Sequence, residues 1–218
     1  MKVKINSKLS KSVRIGIYIA SLIKIFRGLF RGLFFKNIKF PFFVGYKVKI
    51  TQKKNMIISK NVKFEDYCEI QGLSSEPLIF KDGVTVGRFT MIRPSSYYGV
   101  GKIGKGLEIG KSSSIGPFGY IGCAGKIIIG DNVMIGPKVS LFAENHIFED
   151  KNKNIKKQGV FSKGIIIEDN CWIGSGVIIL DGVTIGRGSV VGAGCIVTKN
   201  LPENCIVYDN RDKKMKER

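Results

Sequence analysis

Residues 167–199 read IEDNCWIGSGVIILDGVTIGRGSVVGAGCIVTK, and an aliphatic side chain stands at every sixth position: Ile167, Ile173, Ile179, Ile185, Val191 and Val197. Four residues beyond the first five of these come Cys171, Val177, Val183, Ser189 and Cys195, all small or β-branched. A period of six is neither the 3.6 of a helix nor the plain two of a long strand. It fits a short strand that turns a corner every sixth residue, three strands closing one coil, with Gly or Asn supplying the corner backbone. Coils stacked in parallel bury a continuous apolar column. The predicted fold class is therefore all-β, a left-handed parallel β-helix.

Working outward, the phase continues back through Ile129, Ile135 and Leu141, with Val133 and Val139 at the smaller position. After a slip of two it runs through Ile103, Ile109, Ile115, Ile121 and Ile127. Asp131-Asn132 and Asp169-Asn170 read as corners, because Asn tolerates positive φ. A ragged stretch, Ile58 to Phe64 and then Ile79 to Ile92, reads as earlier coils with an insertion near Gly72–Pro77. A Tyr- and Gly-rich loop at 94–102 leaves the prism before Ile103. The expected organisation is a basic arm over 1–55, a β-helix over 56–207 with a loop at 142–164, and a charged tail over 208–218. Five scattered cysteines (Cys68, Cys123, Cys171, Cys195, Cys205) form no metal-ligand spacing and no disulfide framework. They read as reduced thiols of a cytoplasmic protein, mostly core filler.

The net charge of +19 is unevenly placed. Residues 1–63 carry 16 Lys or Arg and no Asp or Glu, while the remainder holds 20 bases against 17 acids. Such an arm has two anionic partners to choose from, nucleic acid and membrane headgroups. The interleaved Ile15, Ile17, Tyr18, Ile19, Leu22, Ile23, Ile25, Phe26, Leu29, Phe30, Leu33, Phe34 and Phe35 favour the second and argue against nucleic acid. The longest uncharged run, Ile15 to Ile23, is too short to span a bilayer, and no small-residue cleavage site follows it. Lys24, Arg27 and Arg31 share one face at helical spacing and leave the other apolar. Residues 9–36 are thus expected to be an amphipathic helix lying in the headgroup region of the inner membrane face, or else a cap packed under the prism.

Between Leu141 and Ile167 the repeat breaks for about 20 residues, and a solenoid expels a loop of that length where something is bound or covered. At the root of the loop stands His146, the only histidine of the chain, flanked by Glu144 and Asn145. A general base is the role this position suggests, since an imidazole titrates near neutrality and requires no metal to accept a hydroxyl proton.

Asn145-His146-x-Phe148, Gln158-Gly159, the run from Ile167 to Gly186 with Trp172-Ile173-Gly174, and Val190 to Lys199 together resemble the hexapeptide-repeat acetyltransferases. Among these the sugar O-acetyltransferases of surface polysaccharide pathways look most alike. The resemblance covers 103–207 well, 57–102 loosely and the arm not at all. It implies a homotrimer with acetyl-CoA in the cleft between neighbouring prisms and His146 as catalytic base, with Asn145 or Glu144 orienting the ring. It further implies that the Ser175 amide stabilises the oxyanion, that Trp172, Gly174, Ser175, Ala193, Thr198 and Lys199 line the cofactor, and that Lys213 meets its nucleotide. Relatives usually carry Gly-Asn-Pro-Ala-Lys at this last turn, where this chain reads Asp209-Asn210-Arg211-Asp212-Lys213. Gly116 and Ala124 stand where the galactoside enzymes bind sugar with polar residues, so a galactoside acceptor is not expected.

The function expected on this basis is O-acetylation of a sugar hydroxyl on a cell-surface polysaccharide or lipid-linked glycan precursor. N-acetylation of an amino-sugar nucleotide, O-acetylation of a small soluble acceptor, and a membrane-anchored solenoid scaffold are the alternatives. One histidine does not build the metal site of a γ-type carbonic anhydrase. A sugar nucleotidyltransferase would need a large domain ahead of the coils, where only about 55 residues stand.

Overall fold

A computed structural model describes residues 6–95 and 101–210. Among them, helix α1 (Lys11–Arg31) is followed by 24 short strands. The first three coils comprise β1 (Asn37–Ile38), β2 (Phe42–Val44) and β3 (Lys49–Thr51); β4 (Met56–Ile58), β5 (Val62–Phe64) and β6 (Glu69–Gln71); β7 (Leu78–Phe80), β8 (Thr85–Val86) and β9 (Met91–Arg93). Two more follow: β10 (Leu107–Ile109), β11 (Ser114–Ile115) and β12 (Tyr120–Gly122); β13 (Ile127–Ile129), β14 (Met134–Ile135) and β15 (Ser140–Phe142). A hairpin of β16 (Asn145–His146) and β17 (Val160–Phe161), carrying the one-turn helix α2 (Ile155–Gln158), then leaves the prism. Winding resumes with β18 (Ile165–Ile167), β19 (Trp172–Ile173) and β20 (Ile178–Leu180), then β21 (Thr184–Ile185), β22 (Val190–Val191) and β23 (Ile196–Val197), and closes on β24 (Ile206–Val207).

Every third strand stacks in parallel on its predecessor, giving three sheets of seven, eight and seven strands. We call them A (from β1), B (from β2) and C (from β3). This is the left-handed parallel β-helix that the period of six predicts. The aliphatic positions Ile167, Ile173, Ile179, Ile185, Val191 and Val197 are buried, and so are the smaller ones, Cys171, Val177, Val183, Ser189 and Cys195. Asn132 and Asn170 both hold φ +58 at their corners. Asp169 Oδ1 accepts the Asp131 N–H at 2.7 Å, and Asp131 Oδ1 accepts that of Lys111 at 2.6 Å, so the acidic partner of each Asp-Asn pair ties its coil to the one before. The slip of two in the repeat has a simple origin. Ile109 pairs with Ile129 and Ile167 with Ile185, so one turn takes 20 residues in the first case and 18 in the second.

Two features differ from the sequence expectation. Residues 37–55, read as part of the arm, form the first coil: Ile38 pairs with Ile58, Phe42 with Val62 and Ile50 with Ile70. The period of six in fact extends through Val44, Ile50, Met56, Val62 and Cys68, all buried. Ile103, counted into the repeat, is exposed, and the coil after the loop restarts at Leu107.

Helix α1 closes the open end of the prism. Asn61 N–H donates to Pro41 O and Gly45 N–H to Phe64 O, so both groups face β5, and the alternation along β2 turns the Phe42 carbonyl to the free end. Gly28 lies against that carbonyl so closely that a Cβ would overlap its oxygen. Lys24 pairs with Glu65, Arg31 Nη1 donates to Val48 O at 3.0 Å, and the Arg27 guanidinium lies over the Tyr46 ring. Below the helix, Phe35 plugs an internal aromatic column that continues through Phe42, Phe64 and Phe80 with centroids 4.9–5.8 Å apart. The face expected to meet headgroups, Lys24, Arg27 and Arg31, therefore grips the prism. No helix among the described residues is long and apolar enough to cross a membrane.

Candidate active site

The loop that interrupts the winding is held at both roots. Ala143, the last buried residue of the fifth coil, donates to Gly122 O at 3.0 Å and accepts from Gly125 N–H at 2.7 Å. The chain then leaves as β16 and returns as β17, His146 opposite Val160 and Asn145 opposite Phe161. At the far end Gln158 bonds Asp150 O at 2.9 Å and Lys153 O at 2.8 Å, closing the tip on itself. Asp181, at the sheet C–A corner of the next coil, anchors the return. Its carboxylate accepts Lys163 N–H at 2.9 Å and Gly164 N–H at 2.7 Å, and Asn145 Nδ2 at a long 3.4 Å. Sequence reasoning passed over Asp181. Its signal was local: Asp-Gly at a corner one coil beyond an expelled loop.

His146 is exposed, and within the described residues its imidazole bonds to no other group of the chain. Glu144 turns into a cleft of about 360 Å³ beside the loop root, lined also by Lys102, Ile103, Lys105 and Phe161. Among the described residues, no hydrogen bond ties Glu144 or Asn145 to the His146 ring within one chain.

The residues expected along the cofactor fall elsewhere on the prism. Trp172 projects from sheet B between Met134 and Val190 and is 55% exposed. Gly174 and Ser175 occupy the B–C corner directly under Ala193; a Cβ on Gly174 would sit 2.6 Å from Ala193 N. Thr198 and Lys199 lie exposed past β23 at the opposite, C–A, end of sheet C. Lys213 lies outside the described residues. Within one chain, Ser175 and Asp181 stand at opposite ends of a sheet C strand, six residues or about 20 Å apart at ~3.3 Å per residue. His146 lies at the Asp181 end.

The B–C corner has a property visible only in the stacking. Lys138 N–H donates to Pro117 O, Gly176 N–H to Pro137 O and Gly194 N–H to Ser175 O, so Pro117, Pro137, Ser175 and Ala193 form one column. The lower two positions have no N–H. The upper two have one, and neither the Ser175 nor the Ala193 amide finds an acceptor among the described residues. An exposed, fixed, unused amide is the donor type that stabilises a developing oxyanion.

Comparison with known proteins adds the family context. The bacterial transferase hexapeptide (six repeats) matches residues 164–199. Over 80 residues the chain is 32% identical to the galactoside O-acetyltransferase of Lactococcus lactis, an alignment covering 31% of this chain. It spans only 39% of the length of that curated relative. Among solved structures, a point mutant of AntD, an N-acyltransferase from Bacillus cereus in complex with dTDP-4-amino-4,6-dideoxyglucose and coenzyme A, superposes with a TM-score of 0.55 at 16% identity. That superposition covers 88% of this chain and 89% of AntD, and at such identity the likeness is one of fold. Residues 164–199 thus carry hexapeptide repeats, and over 80 residues the chain is similar to a galactoside O-acetyltransferase.

Proposed function

We propose that this protein is an acetyl-CoA-dependent O-acetyltransferase acting on a sugar hydroxyl of a glycan precursor, with His146 as general base. The observation that carries the reading is the chain's only histidine, exposed on a hairpin rooted by Asp181 beside a cleft. The homology to the Lactococcus enzyme supports acetyl transfer to oxygen, and the coenzyme A complex of AntD supports a prism of this shape as a platform for the donor.

The chemistry is balanced by groups already present. The acceptor O–H gives its proton to the His146 imidazole as oxygen bonds the thioester carbon; the tetrahedral oxyanion takes hydrogen bonds from the corner amides of Ser175 and Ala193; and collapse breaks the C–S bond, the thiolate leaving with the proton that His146 returns. Because Ser175 and Asp181, the anchor of the hairpin that carries His146, stand at opposite ends of a strand, about 20 Å apart at strand rise, base and oxyanion donors are best supplied by two chains. This supports a homotrimer with shared sites. Thr198 and Lys199 extend the donor track along sheet C, Trp172 borders it, and the basic arm suits an acceptor held at an anionic membrane surface.

Calorimetry with acetyl-CoA on wild type and His146→Ala, paired with thiol release in the presence of glycan acceptors, tests the reading. Both proteins are expected to bind and only the wild type to release thiol. Absence of binding by both would sink the transferase and leave a scaffold.

A further inference from the structure

Helix α1 is amphipathic in the reverse of the usual sense. On a 100° wheel centred on Gly28, the face turned to the prism holds Ile17, Ser21, Lys24, Ile25, Gly28 and Arg31, of which Ile25 is half-buried and Ile17 stays exposed. The opposite pole holds Ile15, Ile19, Leu22, Ile23, Phe26 and Phe30, without a charge among them, and Leu33 follows just past the helix end. All seven are exposed, Phe30 at 66% and Leu22 at 64%. A helix that only capped the prism would bury this face and show its lysines to water. Here small and basic residues, with Ile25 half-buried beside them, make the contact, through Gly28 on Phe42, Lys24 on Glu65 and Arg31 on Val48, and the larger oily face points along the prism axis, away from the body.

A second copy docking end to end would bring together two ends that each carry 16 bases and no acid through residue 63, with Lys24 and Lys49 of these paired to Glu65 and Glu69. Like charge of that density opposes the contact. An anionic lipid surface complements it: Lys8, Lys11, Lys36 and Lys39, all exposed, bracket the helix and suit headgroups while the apolar pole enters the acyl boundary.

We propose that the protein docks end-on to an anionic lipid bilayer, α1 lying in the interface and the prism standing along the membrane normal. Strands stack at about 4.8 Å, so His146, leaving the fifth coil, stands about 20 Å above the first coil and about 30 Å from the α1 axis. In a trimer with parallel prisms all three helices face the lipid together, which multiplies a weak single contact. The docking stands apart from the transfer chemistry; its consequence for the acceptor rests on the transferase reading. An acceptor anchored in the same bilayer then carries its hydroxyl about 30 Å off the lipid, which selects an elongated lipid-linked glycan over a headgroup.

The test is co-sedimentation of the full chain with phosphatidylglycerol–phosphatidylcholine vesicles and with phosphatidylcholine alone, for wild type and for Phe26→Glu/Phe30→Glu. Both substituted side chains point away from the prism. Wild type is expected to bind the anionic vesicles at physiological salt, and the double variant at least tenfold less. With brominated lipid, Trp172, the only tryptophan and five coils above the base, stays unquenched, whereas a Phe30→Trp variant is quenched. No binding by wild type, equal binding by the double variant, or quenching of Trp172 overturns the proposal. So does a larger assembly in solution that the double variant abolishes while vesicles are ignored, which would assign the face to a second copy. Acetyl-CoA calorimetry on the same preparations separates the two readings, because the double variant keeps donor binding if only docking is lost, and a wild type that sediments with lipid yet binds no donor fails as a transferase alone.

Discussion

Ser175 and the two prolines stacked below it differ, for the corner, by a single N–H. The register of Pro117 and Pro137 shows that the backbone there accepts proline, so Ser175→Pro deletes the donor with little else. Stability is expected to stay within about 0.5 kcal/mol, while kcat for acetyl transfer falls about 10²–10³-fold; a urea titration beside steady-state kinetics reads both. The buried thiols make a prediction of opposite character. Burial pushes Cys123 up to about 12, and Cys68 likewise, from the 9.0 of an exposed thiol. Folding therefore favours the neutral thiol. That contribution is whole below pH 9 and is lost between 9 and 12, as the unfolded chain ionises first. Alkaline denaturation is expected to set in within that window, later for Cys123→Val, by circular dichroism against pH. At this scale the sequence draws the eye to a residue where its type is rare, as with His146. The resemblance named the Ser175 amide and left that of Ala193 aside, because an unused amide is a matter of which neighbours fail to reach it.

The hairpin and the helix are elements fixed by one or two residues each. Asp181 holds the return of the hairpin by hydrogen bonds of 2.7 and 2.9 Å, and Asp181→Ala should raise amide exchange across 145–163 by about ten- to a hundredfold while barely moving the core. Exchange mass spectrometry checks this, and unaltered protection of the loop would remove Asp181 as its anchor. Gly28→Val drives a side chain into the Phe42 carbonyl, so α1 should lift from the end of the prism and become the first site of limited proteolysis. The loop was legible because it breaks a period. The first coil was not: Val44, Ile50 and Met56 kept the spacing, but alternating lysines such as Lys47, Lys49, Lys53 and Lys54 made the stretch read as arm. Those lysines sit on the outer side of a wall whose inner side is apolar, a distinction that charge counting erases. The helix itself was expected from its spacing; which of its faces meets the prism depended on Gly28 and on an upturned carbonyl.

For the whole molecule, the separation of His146 from Ser175 makes a sharp demand on assembly. If each site takes its base from one chain and its oxyanion donors from the next, inactive His146→Ala and Ser175→Pro proteins refolded together should regain about one quarter of wild-type transfer, the share of interfaces that join two intact halves at equal mixing. A site complete within one chain predicts no recovery. The architecture was legible at this scale because repetition amplifies a weak signal: a long run of hexads in phase defines a prism even when single members mislead, as Ile103 did.

One corner of the prism carries Tyr67, Phe89 and Phe118, each at positive φ, with rings parallel and centroids 4.8 and 5.0 Å apart across coils two to four. Trp172 sits alone in coil six. The two ends of the molecule thus report in different optical channels, near-ultraviolet ellipticity from the stacked rings and fluorescence from the indole. In a fold where each coil contacts only its neighbours, a lag between those two signals during refolding would tell the direction in which the coils wind.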